Sequence, residues 1–130
     1  MNLMLQVHLV LLLLQVHLVL QSLQSLQEYL LKKEGFEVSV ATDGEAALRQ
    51  AGEFRPDLML LDVMMPKKSG FEVCESLRAD ASQSALKIIM LTAKGRETEV
   101  TKGLALGANA YITKPFSTKD LVAQIKTLLA

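Results

Sequence analysis

The sequence predicts an α/β protein built on a doubly wound, five-stranded parallel sheet with helices on both faces. Strand and helix patterns alternate after residue 28, and two short runs, PDLMLLD (56–62) and LKIIMLT (86–92), are almost entirely apolar. Strands buried on both faces of a parallel sheet have this composition, because helices cover both faces. Alternating strands and helices favour a parallel sheet over other arrangements. With 130 residues, the chain is long enough for one such domain with a buried core.

The first elements after residue 28 are predicted by local signals. EYLLKKEG (28–35) is typical of a helix end, since Gly35 tolerates the left-handed backbone that stops a helix. FEVSVA (36–41) has the period-two pattern of a strand. TDGEAALRQAGEF (42–54) opens with capping residues and predicts a helix with one apolar face. The buried strand PDLMLLD follows.

The second half of the chain repeats this order. Ser69 and Glu72 form a capping-box pattern that predicts the start of a helix in SGFEVCESLRA. After the strand LKIIMLT, KGRETEVTKGLALGA predicts a helix that ends near Gly107. The apolar positions of that helix are Val100, Leu104 and Leu106. NAYIT predicts a short strand, and STKDLVAQIKTLLA predicts a last helix with Ser117 as its N-cap.

Residues 1–27 are unusual. The heptapeptide LQVHLVL occurs twice at a spacing of nine residues, QSLQSLQ follows, and the segment contains no Asp or Glu. If the first helix covers about 21–34, the first strand is expected near Leu12–Val16, with residues 1–11 as an extension and residues 12–130 as the core of a single domain. A membrane anchor is not favoured, because the apolar run is short, carries four polar groups and lacks flanking Lys or Arg.

The bulk composition excludes several classes of protein. Fourteen basic and fourteen acidic residues give no net charge, so nothing indicates a general nucleic-acid binder. One cysteine cannot form an intramolecular disulfide, and one cysteine with two histidines is too few for a structural zinc site. A reducing, cytoplasmic location is the expectation.

Polar side chains stand where three of the predicted strands end. Asp62 ends the third strand, Thr92 the fourth, and Lys114 the fifth, directly before Pro115. The working site of a doubly wound sheet lies beyond the carboxyl ends of its strands, so these side chains are expected to converge. A carboxylate there is a potential nucleophile or metal ligand, and a hydroxyl and an ammonium could hold the oxygens of a group attached to it.

Three ordered motifs within residues 28–130 resemble the receiver domains of two-component response regulators, the CheY-like superfamily. They are PDLMLLDVMMPKKSGFEV, IIMLTAK and GANAYITKPFSTKDL. The resemblance implies the receiver version of the flavodoxin-like fold. It also implies a switch that is driven by phosphorylation and has no substrate turnover of its own beyond slow dephosphorylation.

The resemblance implies a role for each matching residue. Asp62 would accept a phosphoryl group from a histidine kinase or a phosphotransfer protein, Thr92 would bind a phosphoryl oxygen, and Lys114 would pair with the carboxylate or phosphoryl group. Tyr111 would be the aromatic switch residue, and the backbone carbonyl of Met64 would be a Mg²⁺ ligand. The residues that would shape the loop after the acceptor are Pro66 and Gly70.

The resemblance also implies partners. A downstream effector would bind the face formed by helix 4, strand 5 and helix 5, roughly residues 94–129. No output domain is expected after the last helix, so the chain would be a stand-alone or an excised receiver. Direct contact with nucleic acid or a membrane is not expected.

The sequence departs from the family at the metal site. Receivers carry an acidic pair after the first strand, which would fall around His17–Val19, where no acidic residue occurs. Asp43 follows the second strand and is expected to lie to the side, and Asp57 stands at the wrong end of the third. Mg²⁺ requires several oxygen ligands, so its binding is expected to be weakened or absent. Either the chain is a receiver that binds Mg²⁺ weakly, or residues 1–27 differ from the natural sequence.

Other functions are less well matched. A pseudo-receiver that acts only through protein contacts is the main alternative. An aspartyl-phosphate phosphatase would need a second Asp two residues after the nucleophile, where Met64 stands. A flavodoxin-like cofactor binder would need a phosphate-binding loop after the first strand, and none is present there.

Overall fold

The computed structural model describes residues 7–12, 29–64, 67–93 and 96–130. The helical residues 29–33 are called α1. The other elements are β1 (Val7–Leu12), β2 (Phe36–Ala41), α2 (Gly44–Phe54), β3 (Leu58–Asp62), α3 (Gly70–Ala79), a 3₁₀ turn (Ala81–Gln83), β4 (Lys87–Ala93), α4 (Glu97–Ala105), β5 (Ala110–Lys114) and α5 (Thr118–Leu129). In these ranges, none of the helices has the length and apolar content that a membrane crossing requires.

The described strands form one five-stranded sheet in the order β2-β1-β3-β4-β5, and every neighbouring pair is parallel. The predicted fold class is therefore confirmed. Three register pairs place the strand ends relative to one another: Leu11 with Leu60, Asp62 with Leu91, and Thr92 with Thr113. The carboxyl ends of β3, β4 and β5 consequently lie side by side.

Helices cover both faces of the sheet. On one face α2 and α3 pack on alternate residues of β3 and β4, and this cluster contains Ala47, Ala51, Val73, Cys74, Leu77, Met59, Leu61, Ile88 and Met90. On the other face α1 and α5 contribute to a second cluster, which contains Leu31, Leu121, Ile125, Leu58, Leu60, Ile89, Leu91 and Ile112. Because β3 and β4 are buried on both faces, their sequences are apolar without alternation.

The position of the first strand differs from the prediction. The strand spans Val7–Leu12 instead of Leu12–Val16, so all of it except Leu12 falls within the residues 1–11 that were predicted to be an extension. The expected position depended on a first helix at about residues 21–34 with a short connection before it. Since both copies of the repeat have the same strand-forming residues, the pattern could not distinguish them, and only the pairing with β2 and β3 does. The single domain with a boundary at residue 12 stays a prediction.

The inner side of α4 also differs from the prediction. Leu104, an expected apolar contact, is 44% exposed, whereas Gly103 is buried against β4. A Cβ atom added to Gly103 would lie 3.1 Å from Cγ of Met90. The backbone of α4 therefore approaches the sheet at a glycine, which a count of apolar side chains cannot detect.

Side chains cap the starts of α2, α3 and α5. Asp43 accepts a hydrogen bond from the N–H of Ala46, and Ser69 forms the predicted capping box with Glu72. Ser117 caps α5 as predicted. Gly35, at the turn after α1, has φ +99°, the left-handed conformation that the sequence indicated.

Two glutamine side chains bind carbonyls of the edge strands β2 and β5. Gln50 of α2 donates to the carbonyl of Val40 (3.0 Å) and accepts a hydrogen bond from the hydroxyl of Ser39 (3.1 Å). Gln124 of α5 donates to the carbonyl of Tyr111 (3.2 Å). Each glutamine thus links a helix to the edge of the sheet.

Arg78 joins α3 to the loops at the amino end of the sheet. Its guanidinium donates to the carbonyl of Gly107 (2.9 Å), the carbonyl of Leu86 (2.8 Å), the side-chain oxygen of Asn109 (2.8 Å) and the carbonyl of Gln83 (3.3 Å). Charged donors make stronger hydrogen bonds than neutral ones. This one side chain therefore holds the connections before β4 and β5 against α3.

We expect Arg78→Met to lower the free energy of unfolding by about 3 kcal/mol, because several partly buried carbonyls would lose their donor. The measurement is urea denaturation followed by far-ultraviolet circular dichroism. Arg49→Met, at an exposed position of α2, is the control and is expected to change stability by less than about 0.5 kcal/mol. Equal unfolding midpoints for the two variants would contradict the structural role of Arg78.

Candidate functional site

The carboxyl ends of β3, β4 and β5 bring two of the predicted site residues into direct contact. Asp62 is the last residue of β3 and Lys114 the last residue of β5. Lys114 Nζ lies 2.8 Å from Asp62 Oδ2, across the end of β4. The peptide bond between Lys114 and Pro115 is cis.

Asp62 is a buried carboxylate with defined donors. Its side chain is 2% exposed, Oδ2 pairs with Lys114, and Oδ1 accepts a hydrogen bond of 2.9 Å from the N–H of Met64. Burial raises the pKa of Asp62 above its ordinary value, and the contacts with Lys114 and Met64 oppose this effect without cancelling it. The carboxylate is poorly hydrated and held in one orientation, which suits a nucleophile.

Thr92 lies one residue beyond the partner of Asp62 in β4 and is 1% exposed. Its hydroxyl oxygen is buried and has no hydrogen-bond partner within the described part of the chain. A buried hydroxyl without a partner is uncommon and calls for an explanation. The unused donor lies at the same edge of the sheet as the Asp62–Lys114 pair.

Tyr111 lies on β5 opposite Met90 and is 43% exposed. It borders a groove of about 810 Å³ between α4, β5 and α5, which also contacts Leu104, Gln124 and Leu128. The residue is thus on the face that the sequence analysis associated with an effector, with its ring partly in solvent.

The loop between β3 and α3 packs closely on the site. A Cβ atom added to Gly70 would lie 2.5 Å from the backbone oxygen of Asp62, so only glycine fits there. Lys67 has a left-handed backbone (φ +66°) and pairs with Asp43 at 3.5 Å. This ion pair was not predicted from the sequence, because no local pattern links Lys67 with Asp43. Pro66, which was expected to shape the same loop, lies outside the described residues.

The residues described around Asp62 do not supply the oxygen ligands that a hard divalent cation such as Mg²⁺ requires. Asp43 is occupied as the cap of α2 and as the partner of Lys67, and Asp57 precedes β3 at the opposite edge. Across the described ranges, no group of three or more His, Cys, Asp or Glu side chains could hold a metal ion. The expected position of the acidic pair, His17–Val19, lies outside the described residues, but residues 1–27 contain no Asp or Glu. Of the expected metal ligands, only Asp62 and the backbone carbonyl of Met64 lie in the described residues.

The raised pKa of Asp62 predicts a pH dependence of stability with a defined sign. The Asp62 carboxylate binds a proton more readily in the folded chain than in the unfolded chain, where its pKa is the ordinary value of 3.8. The contribution of Asp62 to stability is therefore fully present below 3.8 and is lost as the pH rises through the folded pKa. Relative to Asp62→Asn, the native chain is expected to gain stability as the pH falls through this range, in urea denaturation.

Asp43 supplies a control of opposite sign. The hydrogen bond from the N–H of Ala46, with the charge of Lys67, lowers the pKa of Asp43. Relative to Asp43→Asn, the native chain should lose stability as the pH falls through that lowered pKa. The same direction of change for both variants would contradict the assignment.

The fold is a parallel α/β domain whose polar strand-end residues lie at one edge of the sheet, and comparison with known proteins identifies its family. A family model described as the response regulator receiver domain matches residues 20–126. The chain belongs to this family of two-component response regulators.

Two relatives illustrate the likeness in sequence. The sensory transduction protein RegX3 of Mycobacterium tuberculosis is 45% identical over 109 residues, which cover 84% of this chain and 47% of that protein. The alkaline phosphatase synthesis transcriptional regulatory protein PhoP of Bacillus subtilis is also 45% identical over 109 residues, covering 84% of this chain and 45% of that protein. The chain thus spans about half the length of these relatives. Nothing in these likenesses favours the pseudo-receiver alternative.

Solved structures show the same architecture. The chemotaxis response regulator CheY4 of Vibrio cholerae has a TM-score of 0.82 and 27% identity, with coverage of 95% of this chain and 98% of that one. The receiver domain of the sensor histidine kinase PA1611 of Pseudomonas aeruginosa has a TM-score of 0.82 and 26% identity, with the same coverage. That structure contains a magnesium ion coordinated in the active-site cleft.

Proposed function

We propose that Asp62 is the phosphoacceptor of this receiver domain and takes a phosphoryl group from the phosphohistidine of a histidine kinase or a phosphotransfer protein. The observation that carries the proposal is the ion pair between the buried carboxylate of Asp62 and Lys114, beside the hydroxyl of Thr92, which has no partner in the described part of the chain. A carboxylate whose negative charge already has a fixed cationic partner can take on further negative oxygens without moving into water.

The transfer is a displacement at phosphorus. One carboxylate oxygen of Asp62 attacks, a P–O bond forms, and the P–N bond to the donor histidine breaks. The electron pair of that bond stays with the imidazole, whose other nitrogen carries a proton, so a neutral imidazole leaves. Positioning and neutralisation of charge supply most of the catalysis in such reactions.

The neighbouring groups have distinct tasks after the transfer. Lys114 stays within reach of the new phosphoryl oxygens, since its ammonium already contacts Asp62. The hydroxyl of Thr92 gains the hydrogen-bond acceptor that it lacks in the described part of the chain. Formation of this bond draws Thr92 toward Asp62, and Tyr111, on the neighbouring strand, responds to the vacated space. A local charge change thereby reaches the outer face of β5.

The output surface in this proposal is the groove between α4, β5 and α5. Its lining includes both exposed apolar and polar side chains, as a surface for a protein effector would. The absence of net charge argues against direct nucleic-acid binding by this chain. We assign it no substrate turnover beyond loss of its own phosphoryl group, and we propose a cytoplasmic location, as the resemblance to receiver domains leads us to expect.

Phosphoramidate, a small donor with a P–N bond, tests the acceptor assignment. Incubation of the full chain with this donor should add the mass of one phosphoryl group, and peptide mapping after borohydride reduction should locate it at Asp62. Asp62→Asn should gain no mass, whereas the control Asp57→Asn, at the opposite end of β3, should gain it as the native chain does. Modification that persists in Asp62→Asn would overturn the assignment, and so would a native chain that gains no mass.

A further inference from the structure

The Asp62 site is supplied with partners for a phosphoryl group but not with ligands for a metal ion. We infer that this chain does not bind Mg²⁺ at Asp62 at millimolar concentrations, and that phosphorylation of Asp62 is consequently insensitive to Mg²⁺. The claim about phosphorylation rests on the proposed function. The claim about Mg²⁺ binding rests only on the ligand atoms that the chain offers.

The number of carboxylates is the first argument. Mg²⁺ binds in proteins through one or two carboxylates together with waters and further oxygens, in nearly ideal octahedral geometry. Residues 1–27, which are all the chain before α1 except Glu28, contain no Asp or Glu. The first acidic residue in the chain is Glu28. Residues 1–27 therefore supply no second carboxylate.

Two acids in the described ranges, Asp43 and Glu99, already pair with cations. Asp43 caps α2 and pairs with Lys67 at 3.5 Å. Glu99, whose charge contributes weakly to the raised pKa of Asp62, pairs with Arg96 at 3.7 Å. Either acid would have to leave its cation to reach a metal beside Asp62, and the metal would then have to offset that loss.

The two oxygens of Asp62 are themselves in use. Oδ1 accepts from the N–H of Met64 and Oδ2 contacts the ammonium of Lys114 at 2.8 Å. A divalent cation at this carboxylate would lie close to the positive charge of Lys114, with a single negative charge shared between them. Because like charges repel strongly at such distances, the pair opposes cation binding.

The same groups favour an anion. A phosphoryl group on Asp62 would meet the ammonium of Lys114 and the unpartnered hydroxyl of Thr92, both of which donate hydrogen bonds. Neutralisation of the phosphoryl oxygens would then come from protein donors instead of a metal. Transfer without the cation is expected to be slow, but its rate should not respond to added Mg²⁺.

Titration calorimetry of Mg²⁺ into the full chain tests the binding part directly. The intact mass of the unmodified protein first verifies that residues 1–27 have the printed sequence. We expect no saturable heat at millimolar Mg²⁺, with Asp62→Asn as the matched control. Saturable binding that disappears in Asp62→Asn would overturn the inference. Binding that is identical in both proteins lies outside the site and would leave the inference supported.

The claim about phosphorylation is tested by incubating the full chain with phosphoramidate in the presence of either Mg²⁺ or EDTA. The intact mass of the protein, measured over time, gives the rate of phosphorylation in each case. The two rates are expected to agree within about twofold, since the charge of the phosphoryl group is offset by protein donors. A rate that rises strongly with Mg²⁺ would overturn the inference and leave Asp62 as the acceptor. No mass gain under either condition would refute the proposed function, and the calorimetric result would still decide the metal question.

Discussion

Replacement of Lys114 by methionine is expected to lower the free energy of unfolding by about 2 kcal/mol at neutral pH, because it leaves the Asp62 carboxylate buried without its ammonium partner. The loss is smaller than for a fully buried ion pair, since the Lys114 side chain is 36% exposed and solvent screens part of the interaction. Urea denaturation measures this change. The deficit should shrink as the pH falls, because protonation removes the unpaired charge.

A double-mutant cycle distinguishes the ion pair from simple loss of packing. In an Asp62→Asn background, Lys114→Met should cost much less, since no buried charge is left unpaired. Lys126→Met is the control, because that lysine pairs with Glu34 on the surface, and it should change stability by less than about 1 kcal/mol. Equal costs of Lys114→Met in both backgrounds would show that the pair does not determine the stability.

Replacement of Gly70 by alanine is expected to cost about 2–3 kcal/mol and to disturb the acceptor as well. The new Cβ atom would lie 2.5 Å from the backbone oxygen of Asp62 and 3.1 Å from the Cα of Val63. Backbone atoms cannot rotate away as a side chain can, so either the start of α3 or the end of β3 must shift. The unfolding midpoint measures the stability, and the rate of phosphoramidate labelling measures the displacement of Asp62.

Gly52→Ala is the matched control for this prediction. Gly52 also lies in a helix, but a Cβ atom there would have nothing within 4 Å. Alanine should therefore stabilise α2 by about 0.5–1 kcal/mol through its higher helix propensity, with unchanged labelling. A Gly70→Ala variant as stable and as reactive as the Gly52→Ala variant would show that α3 can move without cost.

Most of the fold could be predicted from local signals. The capping box at Ser69, the glycine stop at Gly35 and the apolar runs of β3 and β4 each have a direct physical cause, and the structure confirms each of them. The first strand could not be placed, because two identical heptapeptides have identical propensities and the choice between them depends on pairing with β2 and β3. The prediction that Leu104 faces the core was wrong for a related reason. A buried glycine such as Gly103 adds nothing to an apolar pattern in the sequence.

The candidate site was predictable in part. The rule that strand ends meet at one edge places Asp62, Thr92 and Lys114 together, and the structure shows the contact between the first and the last of these. Their roles, and that of Tyr111, stay predictions. The orphan hydroxyl of Thr92 could not be foreseen, because it depends on how three strands pack. The pairing of Lys67 with Asp43 depends on tertiary contacts in the same way.

The glutamine contacts at the two sides of the sheet have a consequence for the behaviour of the protein at high concentration. Edge strands offer backbone acceptors to strands of other molecules, which is how ordered aggregates grow. Gln50 and Gln124 each occupy one such acceptor, on β2 and β5 respectively, and each is held there by its own helix. Addition of a strand from another molecule at either side must first break a hydrogen bond that a glutamine N–H already donates to the edge carbonyl. Ordered aggregation at both edges of this sheet therefore carries an initial energetic cost.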